Sequence, residues 1–195
     1  MRAELARFTG LSESYLDHAN LRVRPDRFQK ELLRERGLTV GRLDSRYTGM
    51  DLDAAGESPD VDPSFYGIDG AYATALNAYL RGPLAVDLPD QYRVIGGLSG
   101  PWDWELDDPF YFNVAPYVGE AMRQNSGLQV FVAAGYYDMA TPFFGAEYSL
   151  NRSGVVPARL HFAYYEAGHM MYVNHVALAQ LQRDVRAFIV QTVKR

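Results

Sequence analysis

Cysteine is missing from all 195 residues, so this chain has neither disulfides nor thiol chemistry. Positive charge is in the minority. Nineteen Lys and Arg face 24 Asp and Glu, giving a formal net charge of −5 and a pI near 5.3. A surface of that sign repels phosphate, which argues against a nucleic-acid partner. No apolar run approaches the roughly 20 residues that span a bilayer, so no membrane partner is expected either. Met1-Arg2-Ala3-Glu4-Leu5-Ala6-Arg7-Phe8 carries charges where a secretory leader needs an apolar stretch, and the compartment stays undecided. Internal repeats and low-complexity segments are also lacking.

What remains is an ordinary globular composition, 48% hydrophobic and 22% charged, with a 13% aromatic share that includes 14 Tyr. Such a share suits a packed cap or an aromatic-lined cleft. The front of the chain reads as helical. Helices are expected over Arg2–Phe8, from the Ser12 cap to Ala19, over Arg24–Arg36 opened by Pro25, and over Tyr66–Leu80. Thr39–Tyr47 reads as extended, and residues 48–65, rich in Gly, Asp, Pro and Ser, as a long loop. Gln91–Ile95 can form a short strand. Gly96–Pro109 reads as a second loop, holding Trp102 and Trp104.

The back of the chain is organised around residues 128–169. Leu128–Ala134 and Leu160–Tyr165 are short apolar, aromatic and β-branched runs of the kind found in buried strands. A helix expected over Phe143–Leu150 makes the unit β-α-β, and such a crossover implies parallel strands. Parallel strands end at one sheet edge, where open α/β sheets bind ligands. Each strand runs into a Gly-containing turn, one delivering Asp138 and the other His169. A carboxylate and an imidazole delivered in that order form the acid–histidine half of a nucleophilic triad. A helix over Val114–Arg123 precedes this unit. Another, over Val176–Val193, follows it with a stripe of Leu178, Leu181, Val185, Phe188 and Ile189. Two or three strands leave a sheet edge uncovered, so the pattern predicts a missing partner there.

The run Gly135-Tyr136-Tyr137-Asp138-Met139-Ala140-Thr141-Pro142, together with Tyr164-Tyr165-Glu166-Ala167-Gly168-His169-Met170-Met171-Tyr172, closely resembles the serine carboxypeptidases of the α/β-hydrolase superfamily. The segments Val40-Gly41-Arg42-Leu43-Asp44-Ser45-Arg46 and Gly100-Pro101-Trp102-Asp103-Trp104 look like that family as well. The resemblance covers nearly the whole chain and maps to the C-terminal portion of such an enzyme, starting inside its cap. It implies a partial α/β-hydrolase fold, with residues 1–100 a helical cap segment and 101–195 the α/β portion. It also implies hydrolysis of C-terminal peptide bonds through a Ser-Asp-His triad, with Asp138 orienting His169 and His169 serving as general base. Met170 would line the pocket for the departing residue. Apart from the resemblance, Trp102 and Trp104 are candidates for the floor of a substrate cleft, against the more common role of buried aromatic anchors for their loop. No cofactor and no metal are implied. The family's nucleophile motif, Gly-Glu-Ser-Tyr-Gly, would lie before Met1. The implied partners are therefore a peptide substrate and a Ser-bearing N-terminal half or subunit, and the chain alone is expected to be inactive. A non-catalytic truncated or binding piece and a carboxypeptidase-like acyltransferase are the alternatives.

Two serines have the permitted chain order for a nucleophile. Ser14, in Ser12-Glu13-Ser14-Tyr15-Leu16, lacks flanking glycines and a leading strand. Ser99 has Pro101 where Gly-x-Ser-x-Gly needs its last glycine. His161, Glu166, His169 and His175 cluster in sequence but straddle a strand and a loop without His-Glu-x-x-His spacing, so a metal is not expected.

Overall fold

The computed structural model describes residues 1–87, 89, 92 and 112–193. Over these the chain is a mixed α/β protein with one antiparallel and one parallel strand pair.

Helix α1 (Arg2–Thr9) ends at Gly10, whose φ of 76° supplies the left-handed C-cap. Helix α2 (Glu13–His18) begins as expected at Ser12, whose Oγ accepts from the Tyr15 N–H at 3.1 Å. Arg2 joins the two by donating to Glu13 and Asp17.

The helix expected over Arg24–Arg36 is interrupted. Helix α3 (Pro25–Glu31) stops, Leu33 leaves helical geometry, and a short 3₁₀ turn covers Arg34–Arg36. The break lets Arg34 turn outward and donate to the carbonyls of Ala54 and Gly56. Beside it, buried Lys30 pairs with buried Asp51 at 2.6 Å and donates to the Asp53 carbonyl. Two cations from one helical region thus pin the long loop, whose Met50, Leu52 and Val61 are exposed rather than packed.

Only the first two residues of the expected Thr39–Tyr47 stretch form a strand, and they pair with residues just beyond it. Strand β1 (Thr39–Val40) lies antiparallel to β2 (Thr48–Gly49), and the residues between them loop away. The Asp62 carboxylate holds that loop by accepting from the N–H groups of Arg42 and Leu43. Asp62 also caps helix α4 (Pro63–Tyr66), and a separate helix α5 (Asp69–Arg81) follows. The helix expected over Tyr66–Leu80 is thus α5, begun at Asp69, while α4, opened by Asp62 and Pro63, falls in the segment expected to be a loop.

Helix α6 (Ala115–Gln124) leads into strand β3 (Val130–Gly135), which pairs in parallel with β4 (Leu160–Tyr165) across helix α7 (Phe143–Leu150). The register runs from Val130 opposite Leu160 to Gly135 opposite Tyr165, so both strands end level. Arg159 secures the entry to the unit by donating to the carbonyls of Met122, Asn125, Ser126 and Leu128.

Helix α8 (His175–Val193) starts on the Asn174 side chain, which accepts from the Val176 and Ala177 N–H groups. The face it lays on the sheet shares Leu181 and Phe188 with the expected stripe but takes Ala177 and Asp184 where the stripe had Leu178 and Ile189. Ala177 and Leu181 join the core with Tyr165, Ala167 and Met171. Asp184 accepts from the Tyr165 hydroxyl, and Phe188 packs on Phe131 and His161. Leu178 and Ile189, two members of the expected stripe, are 41% and 51% exposed. Burial first, and the bond to Asp184 second, push the Tyr165 phenol well above its ordinary pKa.

The opposite face carries an aromatic cluster. Tyr164 stacks between Tyr136 and Phe162, and Phe143 meets Tyr136 and Tyr164 edge-on. Burial and a hydrogen bond to Glu147 push the Tyr164 phenol up to about 12. The expected strand over Gln91–Ile95 falls, apart from Tyr92, outside the described residues.

Candidate active site

The level ends of β3 and β4 open into two turns that touch. Beyond β3, the Tyr136 and Tyr137 N–H groups donate to the carbonyls of Tyr165 and Ala167 at 3.0 and 3.1 Å. The approach is so close that a Cβ on Gly135 would stand 2.3 Å from the Gly168 oxygen. The glycines in the two turns are therefore a packing requirement.

Asp138 Oδ2 lies 2.9 Å from His169 Nδ1, with the carboxylate buried and the imidazole 40% exposed. The other oxygen, Oδ1, accepts from the backbone N–H groups of Ala140 and Thr141 at 2.7 and 2.8 Å. The Thr141 hydroxyl donates to Oδ2 at 2.7 Å and sits 3.1 Å from His169 Nδ1. Burial works against ionising Asp138. The hydrogen bonds from the Thr141 backbone and hydroxyl, with the one to His169, outweigh it and hold the carboxyl below its ordinary pKa. An ionised carboxylate at Nδ1 fixes the ring as an Nδ1–H donor and leaves Nε2 as the basic nitrogen.

Thr141 and the backbone of residues 42–45 are the parts of this arrangement that residue patterns alone do not single out. The Asp-x-x-Thr spacing is the one available signal, since a side chain accepting from backbone groups two and three residues ahead is a common turn device. The Leu43 carbonyl, which accepts from the His169 N–H at 2.6 Å, carries no residue-type signature at all.

Met170 is half-buried and lines a cavity of about 110 Å³ beside the His169 turn, together with Leu43, Tyr47, Ile68 and Val173. Trp102 and Trp104 lie outside the described residues, as does Ser99. Ser14 sits exposed within α2, not on a strand-to-helix turn. Of the residues weighed as metal ligands, His161 bonds Gln129, His169 pairs with Asp138, and Glu166 accepts from the Tyr137 hydroxyl at 2.8 Å. His18 ends α2 and His175 begins α8.

Comparison with protein-family models, with curated proteins and with solved structures finds no match for this chain.

Proposed function

We propose that this chain is the C-terminal part of an α/β-hydrolase of the serine carboxypeptidase type. In this reading Asp138 and His169 serve a nucleophilic Ser supplied by another segment. The observation that carries it is the buried Asp138 carboxylate 2.9 Å from the Nδ1 of a partly exposed His169, at the level ends of adjacent parallel strands. His169 Nε2 takes the proton of the attacking hydroxyl, and Asp138 stabilises the imidazolium that forms. The same nitrogen then protonates the leaving amine, releasing the C-terminal residue and leaving an acyl-enzyme for water to hydrolyse. Met170 and the cavity beside it receive the departing residue.

The uncovered surface supports a second segment. Among the described residues β3 and β4 pair only with each other, and parallel sheets are ordinarily covered on both faces. Leu178, Val185, Ile189 and Val190 also border an open apolar groove on the outer side of α8.

The test is hydrolysis of unblocked peptides by the purified chain, alone and after co-expression with whatever open frame lies immediately upstream of its start. The chain alone should be inactive. The pair should release C-terminal residues, and His169→Ala should abolish that release. Turnover by the lone chain that depends on His169 would refute the need for a second segment. A folded pair whose hydrolysis ignores His169, or that acts only as an acyltransferase, would refute the carboxypeptidase reading.

A further inference from the structure

The turns bearing Asp138 and His169 are braced by a segment from the front of the chain. Arg42 O accepts from the Met139 N–H at 3.0 Å, and the Ser45 N–H donates to Tyr137 O at 2.9 Å. Leu43 O accepts from the His169 N–H at 2.6 Å. The segment is seated tightly, since a Cβ on Gly168 would come within 2.5 Å of the Asp44 Cβ.

Side chains complete the brace. The Tyr137 hydroxyl reaches across to Glu166 at 2.8 Å, linking the residue before Asp138 to the turn that delivers His169. Arg46 lies over both. Its Cζ is 4.4 Å from the Tyr137 ring centroid, and its Nη1 donates to the Glu166 carbonyl at 3.2 Å. Its Nε and Nη2 donate to the two oxygens of Asp44 at 2.9 and 2.6 Å.

We propose that Arg46 is a positioning residue that clamps Tyr137 to Glu166 and thereby sets the approach of Asp138 to His169. The clamp deepens the hydrolytic reading above and rests on it. The guanidinium suits the task because one planar group forks to the Asp44 carboxylate, stacks on the phenol and still reaches the Glu166 carbonyl. An ammonium is a single point charge and cannot hold all three contacts in one orientation. Without the clamp, the side-chain link between the turns outside the Asp138–Thr141–His169 cluster is reduced to one exposed Tyr–Glu bond.

The readout is the ring tautomer of His169 in the full chain, taken from long-range 1H–15N correlations at a pH where the imidazoles are neutral. His18, His161 and His175 serve as internal references. The parent should show His169 predominantly as Nδ1–H. Arg46→Leu and Arg46→Lys should both lose that predominance, and Tyr137→Phe should move the same way. Arg34→Leu, which removes bonds to Ala54 and Gly56 instead, should leave the tautomer unchanged while lowering Tm. A folded Arg46→Leu chain that keeps the parent's tautomer overturns the clamp. Should that variant not fold, an unchanged tautomer in Arg46→Lys and Tyr137→Phe overturns it equally. A parent chain with no Nδ1–H preference defeats the Asp138–His169 pairing itself, and the hydrolytic reading falls with it. A parent preference that survives loss of Arg46 defeats the clamp alone.

Discussion

Asp138 divides its two oxygens between two tasks. Oδ1 closes its own turn on Ala140 and Thr141, while Oδ2 faces His169 and the Thr141 hydroxyl. Asp138→Asn keeps one carbonyl oxygen but points an NH₂ group at a hydroxyl and a ring nitrogen that the carboxylate served as an acceptor. The expected result is a flipped His169 tautomer and roughly 1–3 kcal/mol of lost stability at neutral pH, read by denaturant unfolding. On the hydrolytic proposal, activity of the assembled pair should fall on the order of 10⁴-fold. The pH dependence has a definite sign. Because the folded carboxyl titrates below its ordinary value of 3.8, its contribution is whole above that pH and is lost as pH falls through the lower folded value. Asp138→Asn should therefore flatten the acid limb of stability beginning near that pH. An unchanged acid limb would show that the carboxylate is not stabilised in the fold.

Gly168 makes a sharper demand at the same scale. An added methyl would meet the Leu43 oxygen at 2.3 Å, a backbone atom with nowhere to retreat. Gly168→Ala should cost roughly 1–3 kcal/mol, an overpacking penalty, and should loosen the contact between residue 43 and His169. Equal stability of parent and variant by denaturant melt would refute the tight seating. Asp138 and His169 are legible in the sequence because each follows a glycine-bearing turn at the end of an apolar run. Thr141 and the Leu43 carbonyl are not, since their roles depend on a turn's geometry and on which distant backbone arrives beside it.

Elements tell a similar story with a different cause. The β-α-β unit is readable because strand length, turn residues and crossover length agree with one another. The stripe expected on α8 overlaps the face that packs at Leu181 and Phe188 but extends to the exposed Leu178 and Ile189. Apolar side chains line two neighbouring faces of that helix, and periodicity cannot choose between them. The sheet takes the face with small Ala177, polar Asp184 and aromatic Phe188, because Tyr165 needs an acceptor for its buried hydroxyl. The break in α3 is equally hidden, since it depends on carbonyls from Ala54 and Gly56. Helix α7 offers a simple check on element-scale reasoning. Gly145 lies within it, and an added Cβ meets nothing within 4 Å. Gly145→Ala should stabilise the chain by roughly 0.5–1 kcal/mol through helix propensity, raising Tm slightly without altering the His169 tautomer. A lower Tm would mean that the α7 surface is covered.

At the scale of the whole molecule, the front of the chain is part of the site's frame, however its helices are classified. Helix α1 buries none of its residues, and its main partner is α2. Residues 42–45, by contrast, give three backbone hydrogen bonds to the turns after β3 and β4. Each bond contributes on the order of 1 kcal/mol net, and orphaning a buried backbone group costs more. Two truncations should therefore part company. A chain lacking residues 1–9 should fold with a small loss of stability and keep His169 as Nδ1–H. A chain lacking residues 1–47 should lose that tautomer and cooperative unfolding together, because the pair β3 and β4, the strands of this sheet among the described residues, gains too little from its own contacts to hold both turns in place. Thermal melts with the histidine spectra of the two truncations decide the matter. If the shorter chain melted cooperatively with its His169 tautomer intact, the turns would be set by the strands alone and the front would be an ornament on an independent α/β unit.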